Sequence, residues 1–239
     1  MVDRALSTHD SIVATLGSEI LRGDHPPGGN LPTEAELVTR FRASRTVMRE
    51  VTKTLAAKGL VVTKTRIGTK VRDPLHWNLF DADVLAWRVR IGLDVDFGRS
   101  LTEIRRAIEP AAAALAAERR SRASLKRLRE HVRDMGHAGH SRQSFAAVDL
   151  AFHVEVGAAS GNPLMRSVAS VIEAALFAAF MYSSPVDDRK QQIASQRGHE
   201  AIVDAIEARN PGAAAAAMLH VIDTGARRIQ SKRPRRRVR

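Results

Sequence analysis

Asp149, His153, His199 and His220 are the residues of this chain whose types and spacing could do chemistry. Asp149 and His153 stand four apart, and on a helix over 146–158 that separation puts carboxylate and imidazole on one face, where both could grip one ion. His199 and His220 flank Asn210-Pro211-Gly212, a break at which Asn210 can cap a helix and Pro211 fits its first position. In an antiparallel helical hairpin, residues equidistant from the turn lie side by side, so these two histidines are expected at one level of a bundle. One carboxylate and three imidazoles suit a borderline divalent ion with open positions: zinc first, nickel or manganese under the same ligands. A lone histidine on an apolar face is ordinarily a core residue, whereas four in register point to a metal.

An ion with open positions is also what a hydrolase uses to activate water. That alternative needs a base, and the nearby carboxylates are Glu155 and Glu200. Glu155 is two residues from His153 and so faces away from it on a helix. No Gly-x-Ser-x-Gly motif is present. A third alternative is an architectural DNA binder whose metal is purely structural.

The elements that must position these residues follow from composition and pattern. With 239 residues, 44% of them hydrophobic, the chain can build one large or two modest cores. No stretch reaches the length of an apolar membrane span, and the N-terminus lacks a signal-type apolar run, so no membrane partner and a cytoplasmic location are expected. Without cysteine, metal ligands must come from histidines and carboxylates. A net charge of +12 and a pI near 11.1 favour a polyanionic partner, nucleic acid before others. The charge is concentrated: between Val38 and Arg72 ten Lys and Arg face only Glu50, and residues 232–239 form a basic tail that reads as disordered.

Apolar spacing over 10–23, ended by Gly23, predicts a first helix. Thr33 with Glu36 forms a capping box that opens a second helix running to Phe41, and Ser44 caps a third from Arg45 to Lys58, closed by Gly59. Two helices joined by a tight turn suggest helix-turn-helix. Segments 60–63 and 69–72, joined through Arg66-Ile67-Gly68, read as a hairpin wing. Met48, Val51 and Leu55 share one face of the third helix, and Thr46, Arg49 and Lys53 share another. The fold class is therefore mainly α, a winged helix-turn-helix with a small β wing followed by an all-α bundle. The domains read as 1–73 (DNA binding), 74–90 (interdomain segment), 91–231 (helical bundle) and 232–239 (tail).

These segments resemble the GntR family of bacterial transcription regulators in Leu31-Pro32-Thr33-Glu34-Ala35-Glu36-Leu37, in Ser44-Arg45-Thr46-Val47-Met48-Arg49-Glu50 and in Leu55-Ala56-Ala57-Lys58-Gly59-Leu60. The second half resembles the FCD-type effector domain of the FadR subfamily, through residues 103–110, Asp149-Leu150-Ala151-Phe152-His153, Ser160-Gly161-Asn162-Pro163-Leu164 and His199-Glu200-Ala201-Ile202. Residues 76–87 resemble a branch of the family that responds to sugar acids. The resemblance implies a homodimer on double-stranded DNA at a palindromic operator, and a small carboxylate effector such as D-galactonate that changes DNA affinity. It also implies the same metal quartet and a regulator, not an enzyme. Many relatives carry arginine where this chain has Ala35.

Arg45 and Arg49, one turn apart at the start of the third helix, are placed for base edges or phosphates. Thr46 and Lys53 suit phosphate positioning, and Arg66 and Gly68 at the wing tip suit a backbone or minor-groove approach. Arg105 resembles the effector-facing arginine of the family, although its spacing also fits an i,i+4 pair with Glu109. Tyr182 is a candidate for the effector pocket, with an ordinary core role as its alternative.

Overall fold

The computed structural model describes residues 7–64, 67–92, 95–171 and 173–231, so the wing-tip candidate Arg66 and the basic tail 232–239 lie outside the described residues. The chain is mainly helical, with one two-stranded antiparallel sheet among the described residues, and divides into two compact units, Met1–Gly92 and Leu93–Arg239.

In the first unit, helix α1 (Thr8–Arg22) begins where the Ser7 hydroxyl accepts the Asp10 N–H and stops at Gly23, whose φ of 90° is left-handed. Helix α2 (Glu34–Phe41) has both halves of the capping box: Thr33 Oγ1 accepts from Glu36 N, and the Glu36 carboxylate accepts from Thr33 N at 2.7 Å. Arg42, itself at φ 50°, turns the chain into Ser44, which caps α3 (Arg45–Ala57). Met48, Val51 and Leu55 of α3 are buried in one core with Leu16 and Ile20 of α1. Strands β1 (Val61–Lys64) and β2 (Gly68–Val71) pair with Val61 opposite Val71 and Lys64 opposite Gly68. The Leu31 N–H donates to Thr69 O at 2.8 Å, and this tie docks the approach to α2 on the wing.

Residues 74–90, expected between the domains, pack as part of this unit. The 3-10 turn Pro74–His76 crosses Gly59, where an added Cβ would lie 2.3 Å from the His76 carbonyl oxygen. Helix α4 (Ala82–Ile91), capped by Asp81, sends Val84 and Trp87 into the same core, with the Trp87 indole lying over Gly17 of α1. Lys58, at the end of α3, is buried and donates to Asp81 at 2.8 Å and Asp83 at 2.7 Å.

The second unit is a bundle of α5 (Val95–Arg119), α6 (Arg122–Met135), α7 (Arg142–Ala159), α8 (Pro163–Val171), α9 (Glu173–Ser183), α10 (Arg189–Glu207) and α11 (Pro211–Ser231). Ser121, Ser141, Asp188 and Asn210 cap four of these starts, Asn210 by accepting the Ala213 N–H at 3.0 Å. Helix α5 packs on α7, α10 and α11, and α7 also packs on α6 and α9. The alanines of α5 and α11 make close approach possible: Ala112, Ala113, Ala116, Ala117 and Ala214 share one core with Phe145, Phe152 and Ile202.

Candidate functional site

Helix α7 brings Asp149 and His153 onto its inner face, and α10 brings His199 beside them. The exposures of the three residues are 8%, 3% and 1%, so all three are withdrawn from solvent. One ligand atom from each falls within a 4.8 Å cluster. His199 Nε2 lies 3.0 Å from Asp149 Oδ1, and His153 Nε2 lies 3.4 Å from the same oxygen. Asp149 Oδ1, His153 Nδ1 and His199 Nε2 nevertheless make no hydrogen bond, because the partners within ion-pair distance lie off the hydrogen-bonding directions. Leaving such buried polar atoms unsatisfied costs about 1–3 kcal/mol each. Asp149 Oδ1 and His199 Nε2, both unsatisfied, face each other with His153 Nε2 3.4 Å from the same oxygen, so these three atoms fit a metal, whereas the unsatisfied His153 Nδ1 faces Glu109.

The surroundings fix how the rings face. His199 Nδ1 lies 2.8 Å from the Ser195 carbonyl, a bond that makes Nδ1 the protonated nitrogen and leaves the Nε2 lone pair directed at Asp149. His153 Nδ1 lies 2.7 Å from Glu109 Oε2, while its ring stacks on Phe180 with centroids 5.2 Å apart. Phe152 meets His199 edge-on at 4.9 Å. Burial pushes the Asp149 carboxyl up, but His199 and His153 outweigh it and hold it far below the usual carboxylate range. Burial likewise opposes ionisation of Glu109, yet Arg105 and His153 bring it down to about 2. Burial lowers the pKa of His153, and Glu109 with Asp149 reverses that, leaving it raised. Asp149 and Glu109 are thus held as carboxylates in an apolar wall, each within ion-pair distance of a histidine. Glu109 is the member the sequence pattern did not assign to the histidines. Its signal was the i,i+4 step from Arg105, which places both on the face that α5 turns to α7.

His220 does not join the cluster. It is exposed, and lines a shallow depression with Ser195, Gly198, Thr224 and Arg228. The residue of α11 that lies against α10 at this level is Val221, whose Cγ2 would be 3.1 Å from a Cβ on Gly198. The hairpin does set the level correctly, but one residue along a helix is a rotation of about 100°. That rotation turns the His220 imidazole out of the bundle.

Arg105 is buried at 8% exposure and makes the i,i+4 pair with Glu109: Nε to Oε1 at 2.7 Å and Nη2 to Oε2 at 3.3 Å. Its Nη2 also lies 3.4 Å from His153 Nε2, and its guanidinium sits over Phe180 at 4.7 Å. Arg105, Glu109 and His153 form the polar end of a cavity whose other walls include Ile104, Ile108, Met165 and Leu176. Tyr182 is neither core nor part of that lining: it is 55% exposed. Of the bases a hydrolase would need, Glu155 is held by Arg127 at 2.9 Å and Glu200 is exposed.

In the first unit, Arg45, Thr46, Arg49 and Lys53 are all exposed along α3, opposite its buried face. A cleft of about 620 Å³ between α3 and the wing is lined by Arg49, Thr52, Lys53, Thr63, Thr69 and Arg72. Gly68, at φ 100°, opens β2 in a conformation that favours glycine. Arg49 pairs with Glu34 at 3.3 Å and Lys53 with Glu50 at 2.8 Å. Exposed pairs of this kind are worth roughly 0–1 kcal/mol, so they orient the cations without withholding them from phosphate. Arg40 and Lys58, by contrast, are committed within the fold to Glu19 and to Asp81 and Asp83.

A winged helix-turn-helix with exposed cations on α3, in a chain that also carries a helical bundle enclosing a polar cluster, fits a DNA-binding transcription regulator. Residues 8–71 match the bacterial regulatory proteins of the gntR family, and residues 100–224 match the FCD domain. The galactonate operon transcriptional repressor of Escherichia coli (strain K12) is 33% identical over 225 residues, spanning 94% of this chain and 98% of that protein. LutR, an HTH-type transcriptional regulator of Bacillus subtilis (strain 168), is 30% identical over 84% of this chain and 91% of its own. The structure of Lar, which controls expression of the Listeria monocytogenes agr system, superposes with a TM-score of 0.66 over 97% of this chain and 100% of that one. At 16% identity that last likeness is one of fold. The chain belongs to the gntR family and carries an FCD domain; its relatives are regulators of transcription, not enzymes. Among the described residues no helix is long and apolar enough to cross a membrane.

Proposed function

We propose that the protein is a metabolite-responsive repressor of a sugar-acid catabolic operon, acting as a homodimer on a palindromic operator. The observation that carries this reading is the buried Asp149, His153 and His199 cluster with its unsatisfied atoms, set beside Arg105 in a chain whose other unit is a winged helix. Asp149, His153 and His199 would hold a divalent metal, zinc in the first instance, with nickel or manganese suited to the same donors. When bound, the ion supplies open coordination positions for a carboxylate or hydroxyl oxygen. Arg105 supplies a planar pair of donors for the carboxylate, and Phe152 and Phe180 keep water from competing.

On the DNA side, Arg45 and Arg49 read base edges or phosphates from the N-terminal half of α3, while Thr46 and Lys53 fix register on the backbone. Gly68 lets the wing approach closely. An effector that binds better to the dimer geometry that fits the operator less well shifts the population toward release. The 33% identity to the galactonate operon repressor supports D-galactonate as the first effector to test.

The test is fluorescence anisotropy of the full chain on duplex DNA from upstream of its own gene, with and without D-galactonate at fixed salt. The expected result is specific binding that weakens as the sugar acid is added. Specific binding that no sugar acid alters would remove the effector assignment, and loss of all specific binding would remove the regulator reading.

A further inference from the structure

Arg105 is already occupied. Of its two carboxylate-matching edges, the one formed by Nε and Nη2 is taken by Glu109 Oε1 and Oε2 at 2.7 and 3.3 Å, and Nη2, which the other edge shares, also lies 3.4 Å from His153 Nε2. Its guanidinium face is covered by Phe180. Glu109 is itself nearly enclosed, with 14% of its side chain exposed, and its Oε2 also lies 2.7 Å from His153 Nδ1. Both residues open onto the same cavity, whose neighbouring walls Ile104, Ile108, Met165 and Leu176 offer no further cation. An incoming carboxylate thus meets an arginine whose fork already holds one.

We infer that Glu109 is a resident competitor for the effector's carboxylate: it holds the Arg105 fork, and an acid enters by taking the fork from it. This deepens the proposed function and rests on it for the role of the cavity as an effector site. Glu109 is then a positioning residue that sets the threshold for response, since an arginine that is free only part of the time lowers the apparent affinity by that fraction. Displacement leaves Glu109 beside His153 Nδ1, so the same carboxylate links occupation of the arginine to the ring that faces Asp149.

A purely structural role predicts the opposite sign. If Glu109 did no more than orient His153, its removal would loosen the site and weaken binding of any acid. The experiment measures the rise in melting temperature of the full-length protein with sodium acetate, the minimal carboxylate, against sodium chloride at equal ionic strength. In Glu109→Gln the half-saturating acetate concentration is expected to fall about tenfold relative to wild type, and Arg105→Lys in the same background is expected to abolish the gain. Glu109→Asp, which keeps the charge but shortens the reach, should give a smaller fall and serves where the glutamine variant does not fold. An unchanged or higher half-saturation in the variants overturns the inference. Operator anisotropy with D-galactonate, run in parallel, separates the two readings. An acetate gain with an operator that ignores every sugar acid retires the effector role while the exchange stands, and an operator response without the acetate gain retires the exchange alone.

Discussion

His199 Nε2 and Asp149 Oδ1 face each other at 3.0 Å inside the bundle, both sealed from water and neither hydrogen-bonded. Such a pairing is costly until a cation or proton lies between the two atoms. A divalent ion that binds only the folded form stabilises it by mass action, so chelation should lower the melting temperature of protein purified with metal. His199→Ala and Asp149→Ala should each abolish stoichiometric metal content, measured by inductively coupled plasma mass spectrometry. His220→Ala should retain it, because that side chain is exposed. Metal loss in His220→Ala equal to that in His199→Ala would show that α11 rotates to deliver its imidazole.

The recognition face predicts two different kinds of loss. If Arg49 reads a base edge as proposed, Arg49→Ala should cost roughly 1–3 kcal/mol on the specific operator and relax discrimination at one position. Lys53→Ala should weaken specific and random duplexes alike and reduce the salt slope of binding by about one. A titration over several salt concentrations on both duplexes separates the two. If the Arg49 variant loses the same factor on random DNA, Arg49 is a phosphate contact.

How far the sequence reached depends on how local each signal was. The winged helix was legible because its information sits in neighbouring residues: the Thr33 and Glu36 box, Ser44 as a cap, Gly23 and Gly59 as stops. The level of the His199 hairpin was legible for the same reason, through Asn210 and Pro211. Rotation about α11 was not, since a turn sequence fixes where two helices meet and leaves open which face each presents. Val221 beside Gly198 settles that, and it is a tertiary packing fact. The apolar run with Trp77, Val84 and Trp87 showed that residues 74–90 are packed, but not against what. The answer depends on Gly17, sixty or more positions away, being small enough to take the indole.

That contact yields a stability prediction. A Cβ at Gly17 would fall 2.3 Å from Trp87 Cζ3, so Gly17→Ala forces the indole or α4 to shift. Overpacking of this kind costs about 1–3 kcal/mol, and helix propensity returns at most about 1 kcal/mol of it. Thermal melts should show a net loss for Gly17→Ala and, in the background of Trp87→Phe, a smaller loss or a gain. Equal effects in both backgrounds would mean that Trp87 is not what makes this position intolerant.

Glu19 of α1 is largely buried; burial alone would raise its pKa, but Arg40 and His25 hold it below the ordinary value of 4.5. A carboxylate that is more acidic folded than unfolded binds fewer protons in the native state, so it contributes stability above the unfolded value and loses it as pH falls through the folded one. Glu19→Gln should therefore destabilise the first unit by roughly 1.5–3 kcal/mol at neutral pH, the range for hydrogen bonds to charged groups. The difference between variant and wild type should hold steady down to about pH 5 and shrink below it. Urea denaturation at a series of pH values, followed by the fluorescence of Trp77 and Trp87, both in this unit, checks the trend. A difference that persists unchanged well below the ordinary value of 4.5 would locate the effect in packing and not in the charge.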